Sequence, residues 1–135
     1  MSARPLFAGA AVSACLLAGC GGADSEQDAQ QVVKDFPTAV NERDGKKFCT
    51  ELTTRAYLER VTATMGDASI RQCEQQIDSL RLQQKYKVVK FAKTKIDGDT
   101  ATVTAVLELQ GKRRPQVFRL RRQDGEFRLT SGTTD

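Results

Sequence analysis

Up to Tyr86 the apolar residues of this chain recur at spacings of three and four; beyond it they recur at every second position. Ala29, Val32, Val33, Phe36 and Val40 share one helical stripe, whereas Ala101, Val103, Ala105, Leu107 and Leu109 share one face of a strand. A helical half followed by a meander of antiparallel strands makes an α+β domain, its helices segregated to one side of a curled sheet. Four strands are predicted, over 88–96, 100–109, 117–122 and 126–130. The turns between them are Asp97-Gly98, Gly111 to Pro115 and Asp124-Gly125, and Phe118, Leu120, Phe127 and Leu129 point inward.

The helical half is punctuated by caps. Ser25-Glu26-Gln27-Asp28 fits a capping box and opens the first helix. Pro37 removes a backbone donor and crowds the carbonyl of Val33, so a kink near Phe36 or two consecutive helices are expected. Asn41-Glu42-Arg43-Asp44-Gly45 breaks the stripe, and Asp44 can cap a short helix carrying Phe48, Cys49 and Leu52. A further piece covers 55–61, with Tyr57, Leu58 and Val61 as its apolar face. After a loop at Met65 to Ala68, Ser69-Ile70-Arg71-Gln72 is a second capping box, opening a helix whose Ile70, Cys73, Ile77 and Leu80 share a face.

Ahead of all this stand Arg4, an apolar run from Leu6 to Leu16, and Leu17-Ala18-Gly19-Cys20. That stretch resembles the lipobox of a bacterial lipoprotein signal peptide: a cationic start, a short apolar core, small residues before the cut, then a thiol that can accept a diacylglyceryl group. The resemblance implies cleavage before Cys20, a thioether-linked lipid on its sulfur, and a further acyl chain such as palmitate on the freed amine. At about 0.8 kcal/mol per buried methylene, two or three long chains hold a small domain on a bilayer. A transmembrane helix needs about 17 to 25 apolar residues, more than this core supplies. The plain secretory pattern Ala8-Gly9-Ala10 falls inside the apolar core, where no cut is expected. The chain then divides into a signal peptide at 1–19, a lipidated Cys20 with a flexible Gly21 to Ser25 tether (20–25), and one domain over 26–135, at the outer face of the cell membrane.

That address makes the cysteines legible. Cys15 leaves with the signal and Cys20 is lipidated, so Cys49 and Cys73 form an even pair outside the cytosol. A disulfide is the expected state there, and two buried free thiols are the alternative. Two thiols without a single histidine make a poor metal site, and neither metal nor cofactor is expected. Charge is uneven: residues 21–80 hold 7 Lys and Arg against 11 Asp and Glu, and 81–135 hold 13 against 6. Arg113, Arg114, Arg119 and Arg121 are the candidate basic face, joined by Arg122 and Arg128. Such a face is drawn to anionic lipid or wall polymer, or is simply a solvated sheet surface. Nucleic acid is a poor partner, since few aromatic residues interleave with these cations.

The order of these features is similar to that of the nuclear transport factor two-like superfamily, in particular its small exported lipoprotein members in Gram-positive bacteria. The resemblance rests on the opening helix running into Asn41 to Gly45, the Phe48-Cys49 helix, the run from Ile96 to Val103, and Asp124 to Leu129. It implies a cone in which the sheet wraps the helices and leaves a cavity, with Phe36, Tyr57 and Leu107 as candidate lining residues. Catalytic members aim ionisable residues, commonly Asp, His and Tyr, into that cavity. This chain has no histidine, no phosphate loop, no nucleophile elbow and no Cys-x-x-Cys pair. Asp35, Tyr57, Asp78, Tyr86 and Glu108 are what an isomerase or dehydratase would have to use. The expectation is a non-catalytic, membrane-anchored lipoprotein that binds a small ligand or an envelope protein. An enzyme of the cavity and an electrostatic envelope-binding module are the alternatives.

Overall fold

The computed structural model describes residues 22–83 and 85–131, and these form an α+β fold. Four helices, α1 (Gly22–Glu42), α2 (Gly45–Lys47), α3 (Arg55–Thr62) and α4 (Asp67–Asp78), precede four strands, with a π-helical turn at Phe48–Leu52 continuing α2. The strands β1 (Lys87–Asp97), β2 (Thr100–Leu109), β3 (Lys112–Gln123) and β4 (Glu126–Leu129) pair antiparallel in chain order. The switch of period at Tyr86 is therefore the boundary between the two halves. The expected signal peptide at 1–19, including Leu17, Ala18 and Gly19, and the expected lipidation site Cys20 lie outside the described residues.

Two helices differ from expectation. Helix α1 begins at Gly22, so the stretch Gly22 to Ser25 expected to be a flexible tether is helical. Ser25 does not stand at a cap; its Oγ accepts from Arg122 Nη2 at 3.1 Å, which holds the first turns against the sheet. The helix also runs through Pro37 as one element. A proline inside a helix costs about 3 kcal/mol. Val33, Ala39 and Val40, all buried around it, offset that cost, since a fully buried Val or Leu contributes about 1.5–3 kcal/mol. Helix α4 opens at Asp67 rather than at Ser69, because Gly66, at φ 59°, supplies the left-handed turn that precedes it. Ser69 sits inside the first turn and donates from Oγ to the Gly66 carbonyl at 2.6 Å.

The sheet also departs at two turns. The first is Gly98-Asp99 rather than Asp97-Gly98, since Asp97 still pairs with Thr100. β3 starts at Lys112 and not at Val117, because Gln110 and Gly111, both at positive φ, complete the turn in two residues. Pro115 consequently lies within the strand, opposite Val106. It is tolerated because β4 pairs with β3 only from Leu120 to Gln123, so the other side of Pro115 is an open edge. Asp124-Gly125 forms the same kind of two-residue turn, as predicted.

Two apolar clusters make the core. One lies between α1 and the sheet and includes Ala29, Val33, Val103, Phe118, Leu120 and Phe127. The other lies among the helices and includes Ala39, Val40, Phe48, Leu52, Leu58 and Ile77. Phe36 packs against both, its ring 5.7 Å from Phe48 and 5.8 Å from Phe118. Leu58 carries the apolar face of α3, while Val61, expected beside it, is 51% exposed.

Cys49 and Cys73 form a disulfide, with Cα atoms 6.0 Å apart, which ties the π-helical turn to α4. Asp44 caps α2 as predicted, accepting from Lys47 N at 2.9 Å. Gly45 is required for close approach, since a Cβ there would stand 2.5 Å from Asp78 Oδ1 and 2.8 Å from the Glu74 carbonyl. The helical layer then grips the edge of β4: Thr54 N donates to the Leu129 carbonyl at 2.9 Å, and Arg60 to that of Thr130 at 2.8 Å.

Candidate ligand cleft

The inner face of the sheet changes character along its length. Starting at the end away from the Gln110-Gly111 turn that joins them, β2 and β3 pair Ala101 with Leu120 and Val103 with Phe118, all buried beneath α1. The next pair is Ala105 with Gln116, and beyond it Leu107 faces Arg114 and Leu109 faces Lys112. Because alternate residues share a face, Gln116, Arg114 and Lys112 are on the same side as Phe118. β2 stays apolar to its end while β3 turns polar and then cationic.

That far end bounds an open cleft of about 600 Å³. Phe36 and Val40 of α1 form one wall, Leu80, Leu82 and Tyr86 another, and Leu107 and Leu109 the floor, with Gln110, Lys112, Arg114 and Gln116 along the rim. The Tyr86 wall is held by Asn41 through two bonds: its Nδ2 donates to the Tyr86 carbonyl at 2.7 Å, and Tyr86 N donates to its Oδ1 at 3.0 Å. Asn41 ends the apolar stripe of α1, a place where an amide reads as a helix terminator and nothing marks it as a clamp. Gln116 Oε1 is buried without a hydrogen-bond partner among the described residues.

The three candidate lining residues do not share one cavity. Phe36 and Leu107 line the cleft, whereas Tyr57 lines a smaller space of about 230 Å³ on the other side of Phe36 and Val40, with Phe48, Thr53 and Phe118. Tyr57 also lies 5.6 Å beneath the Arg60 guanidinium. The candidate carboxylates are engaged elsewhere. Asp35 pairs with Lys47 at 3.4 Å, Asp78 accepts from Gly45 N at 3.0 Å, and Glu108 pairs with Arg113 at 2.8 Å on the outer sheet face. Among the described residues, no carboxylate lines either cavity.

The expected basic face is split. Arg113, Arg119 and Arg121 are on the outer face, and Arg114 is on the inner one at the cleft, because strand alternation separates neighbours 113 and 114. Arg122 is inward too, 4.0 Å over the Phe127 ring, and Arg128 donates to the Thr50 carbonyl. The outer face gains four lysines that arginine counting overlooked: Lys87, Lys90, Lys93 and Lys95 of β1, paired with Glu108, Val106, Thr104 and Thr102. They follow a strict alternation only with allowance for two register shifts, between Val88 and Lys90 and between Phe91 and Lys93, which hide the pattern in the sequence.

Among the described residues no group of acidic, cysteine or histidine side chains is placed to hold a metal ion, and no helix is long and apolar enough to cross a membrane. Neither a family model nor a curated protein matches this chain.

Proposed function

We propose that this protein is a lipid-anchored, non-catalytic domain of the nuclear transport factor two-like kind, held at the outer face of the cytoplasmic membrane through Cys20, that binds a small ligand in the cleft between α1 and the end of the sheet. The observation that carries the reading is the cleft itself: about 600 Å³, floored by Leu107 and Leu109, and falling within the range of about 300–1,000 Å³ typical of small-molecule sites. The engagement of Asp35, Asp78 and Glu108 in pairs outside it favours binding over proton-transfer chemistry. The cleft wall at Val40 lies 18 residues along α1 from Gly22, about 27 Å at 1.5 Å per residue, so a domain tethered at Cys20 carries its cleft away from the anchor.

Native mass spectrometry of protein extracted from membranes tests both parts. The expected spectrum shows a chain beginning at Cys20 with the mass of its lipid, and a second, dissociable small-molecule adduct. A mature chain beginning elsewhere removes the anchor. A lipidated chain that never carries an adduct removes the ligand.

A second reading is favoured by the outer sheet face, where Lys90, Lys93 and Lys95 join Arg119 and Arg121 across three strands. Such a field attracts anionic head groups by about 1 kcal/mol per cation near the surface. Sedimentation with phosphatidylglycerol vesicles is expected to fall as salt rises, and binding indifferent to salt would end this reading.

A further inference from the structure

We infer that the cleft selects an amphiphilic anion: a ligand with an apolar chain or ring system and one carboxylate or phosphate at its end. This rests on the small-ligand reading above and names the ligand's chemistry. Residue type and position are mismatched at the cleft end of β3. A sheet face turned toward the helical layer is expected to be apolar throughout, and β2 obeys this from Ala101 to Leu109. β3 obeys it at Leu120 and Phe118, with Arg122 beyond them occupied over Phe127 and at Ser25, and then places Gln116, Arg114 and Lys112 directly across from Ala105, Leu107 and Leu109. The backbone carrying each cation therefore lies one strand spacing, about 4.8 Å, from that of the apolar floor.

No described carboxylate lines the cleft to neutralise these cations, and neither Arg114 nor Lys112 takes part in an ion pair among the described residues. Arg113, the neighbour on the opposite face, has a partner in Glu108 at 2.8 Å, whereas Arg114 has no ion-pair partner among the described residues. A guanidinium offers two parallel donors to a carboxylate or phosphate, and an ammonium adds a point charge beside it. The floor of Leu107 and Leu109, with Phe36 and Leu82, takes the apolar part. A neutral hydrocarbon would leave the rim unused, and a compact inorganic anion would leave the floor unused.

The experiment compares three probes of equal chain length, octanoate, octanol and octylammonium, by titration calorimetry. The full lipidated chain is held in phosphatidylcholine nanodiscs, with heats from empty discs subtracted. Octanoate is expected to bind about tenfold more tightly than octanol, with octylammonium weakest. Arg114→Gln combined with Lys112→Gln is expected to bring octanoate down to the level of octanol and leave octanol unchanged. Arg119→Gln combined with Arg121→Gln removes equal charge from the outer face and is expected to leave all three probes unchanged. If octanoate and octanol bind equally to the unaltered chain, or if the outer-face pair lowers octanoate as much as the inner pair, the selection for an anion is overturned while the cleft still binds ligands. If none of the three binds, the small-ligand reading itself fails.

Discussion

The two ends of the inner sheet face are built from the same two strands and treated in opposite ways. At the end away from the turn that joins them, Val103 and Phe118 are sealed under α1; at the turn end, Leu107, itself buried, and Leu109 face Arg114 and Lys112 and line the cleft. The difference lies in β3, whose inward side chains pass from Leu120 and Phe118 to Gln116, Arg114 and Lys112 while those of β2 stay apolar.

Substitutions at the two ends test this contrast most directly. Phe118, 1% exposed and 5.8 Å from the Phe36 ring, holds the covered end together. Phe118→Ala is expected to cost about 4 kcal/mol in urea denaturation. A loss under about 1.5 kcal/mol, the scale of a volume-conserving swap, would mean that α1 does not seal this end.

The second effect in size concerns the helical layer that does the covering. The Cys49–Cys73 disulfide spans 24 positions, and the chain-entropy model gives about 3.5 kcal/mol for a loop of about 25 residues. Cys49→Ser and Cys73→Ser are each expected to lower stability by about that amount, and dithiothreitol to have the same effect on the unaltered chain. Indifference to dithiothreitol would return the pair to free thiols.

A smaller effect sits at the boundary between covered and open sheet. Asn41 makes two hydrogen bonds to the backbone of Tyr86, and Asn41→Ala is expected to cost about 1–2 kcal/mol at about 1 kcal/mol per bond. Hydrogen exchange at the Tyr86 amide is expected to accelerate while that of Val103 does not. Equal acceleration at both would show that the cleft wall and the core open together.

How much of this was legible in the chain follows the same division. The α+β class, the order of the elements, the Asp44 cap and the inward residues of the strands could be read, because each depends on residues within one helical turn or one strand of each other; the cysteine pair, 24 positions apart, was legible from the cysteine count instead. Two local signals gave way: at Pro37 tertiary packing kept one helix where two were an option, and a glycine cap three residues upstream of Ser69 replaced the expected one. The cleft was only half legible. Phe36 and Leu107 belong to periodic stripes, but Tyr57 falls into a separate space because Phe36 and Val40 stand between the two. Arg114 was grouped with Arg113 because an expected turn at Gly111 to Pro115 concealed the strand parity that separates them. Asn41 and the β1 lysines were missed for a related reason: a contact across 45 positions and two register shifts leave no local signature.

The open end supplies the smallest effect and the sharpest contrast with Phe118. Arg114 is exposed and makes no ion pair among the described residues, so its removal leaves no buried partner unsatisfied. Arg114→Leu is expected to change stability by less than about 0.5 kcal/mol, the usual range for surface sites. If the inner face were a single continuous core, the leucine would extend the Leu107 floor and raise stability by about 1.5 kcal/mol or more, as burial of that side chain does elsewhere. A measured change near zero, set beside a loss of about 4 kcal/mol at Phe118, places the edge of the core between residues 114 and 118. That boundary is where stabilising the fold stops constraining the side chains of β3, and where a cation can be kept for what it binds.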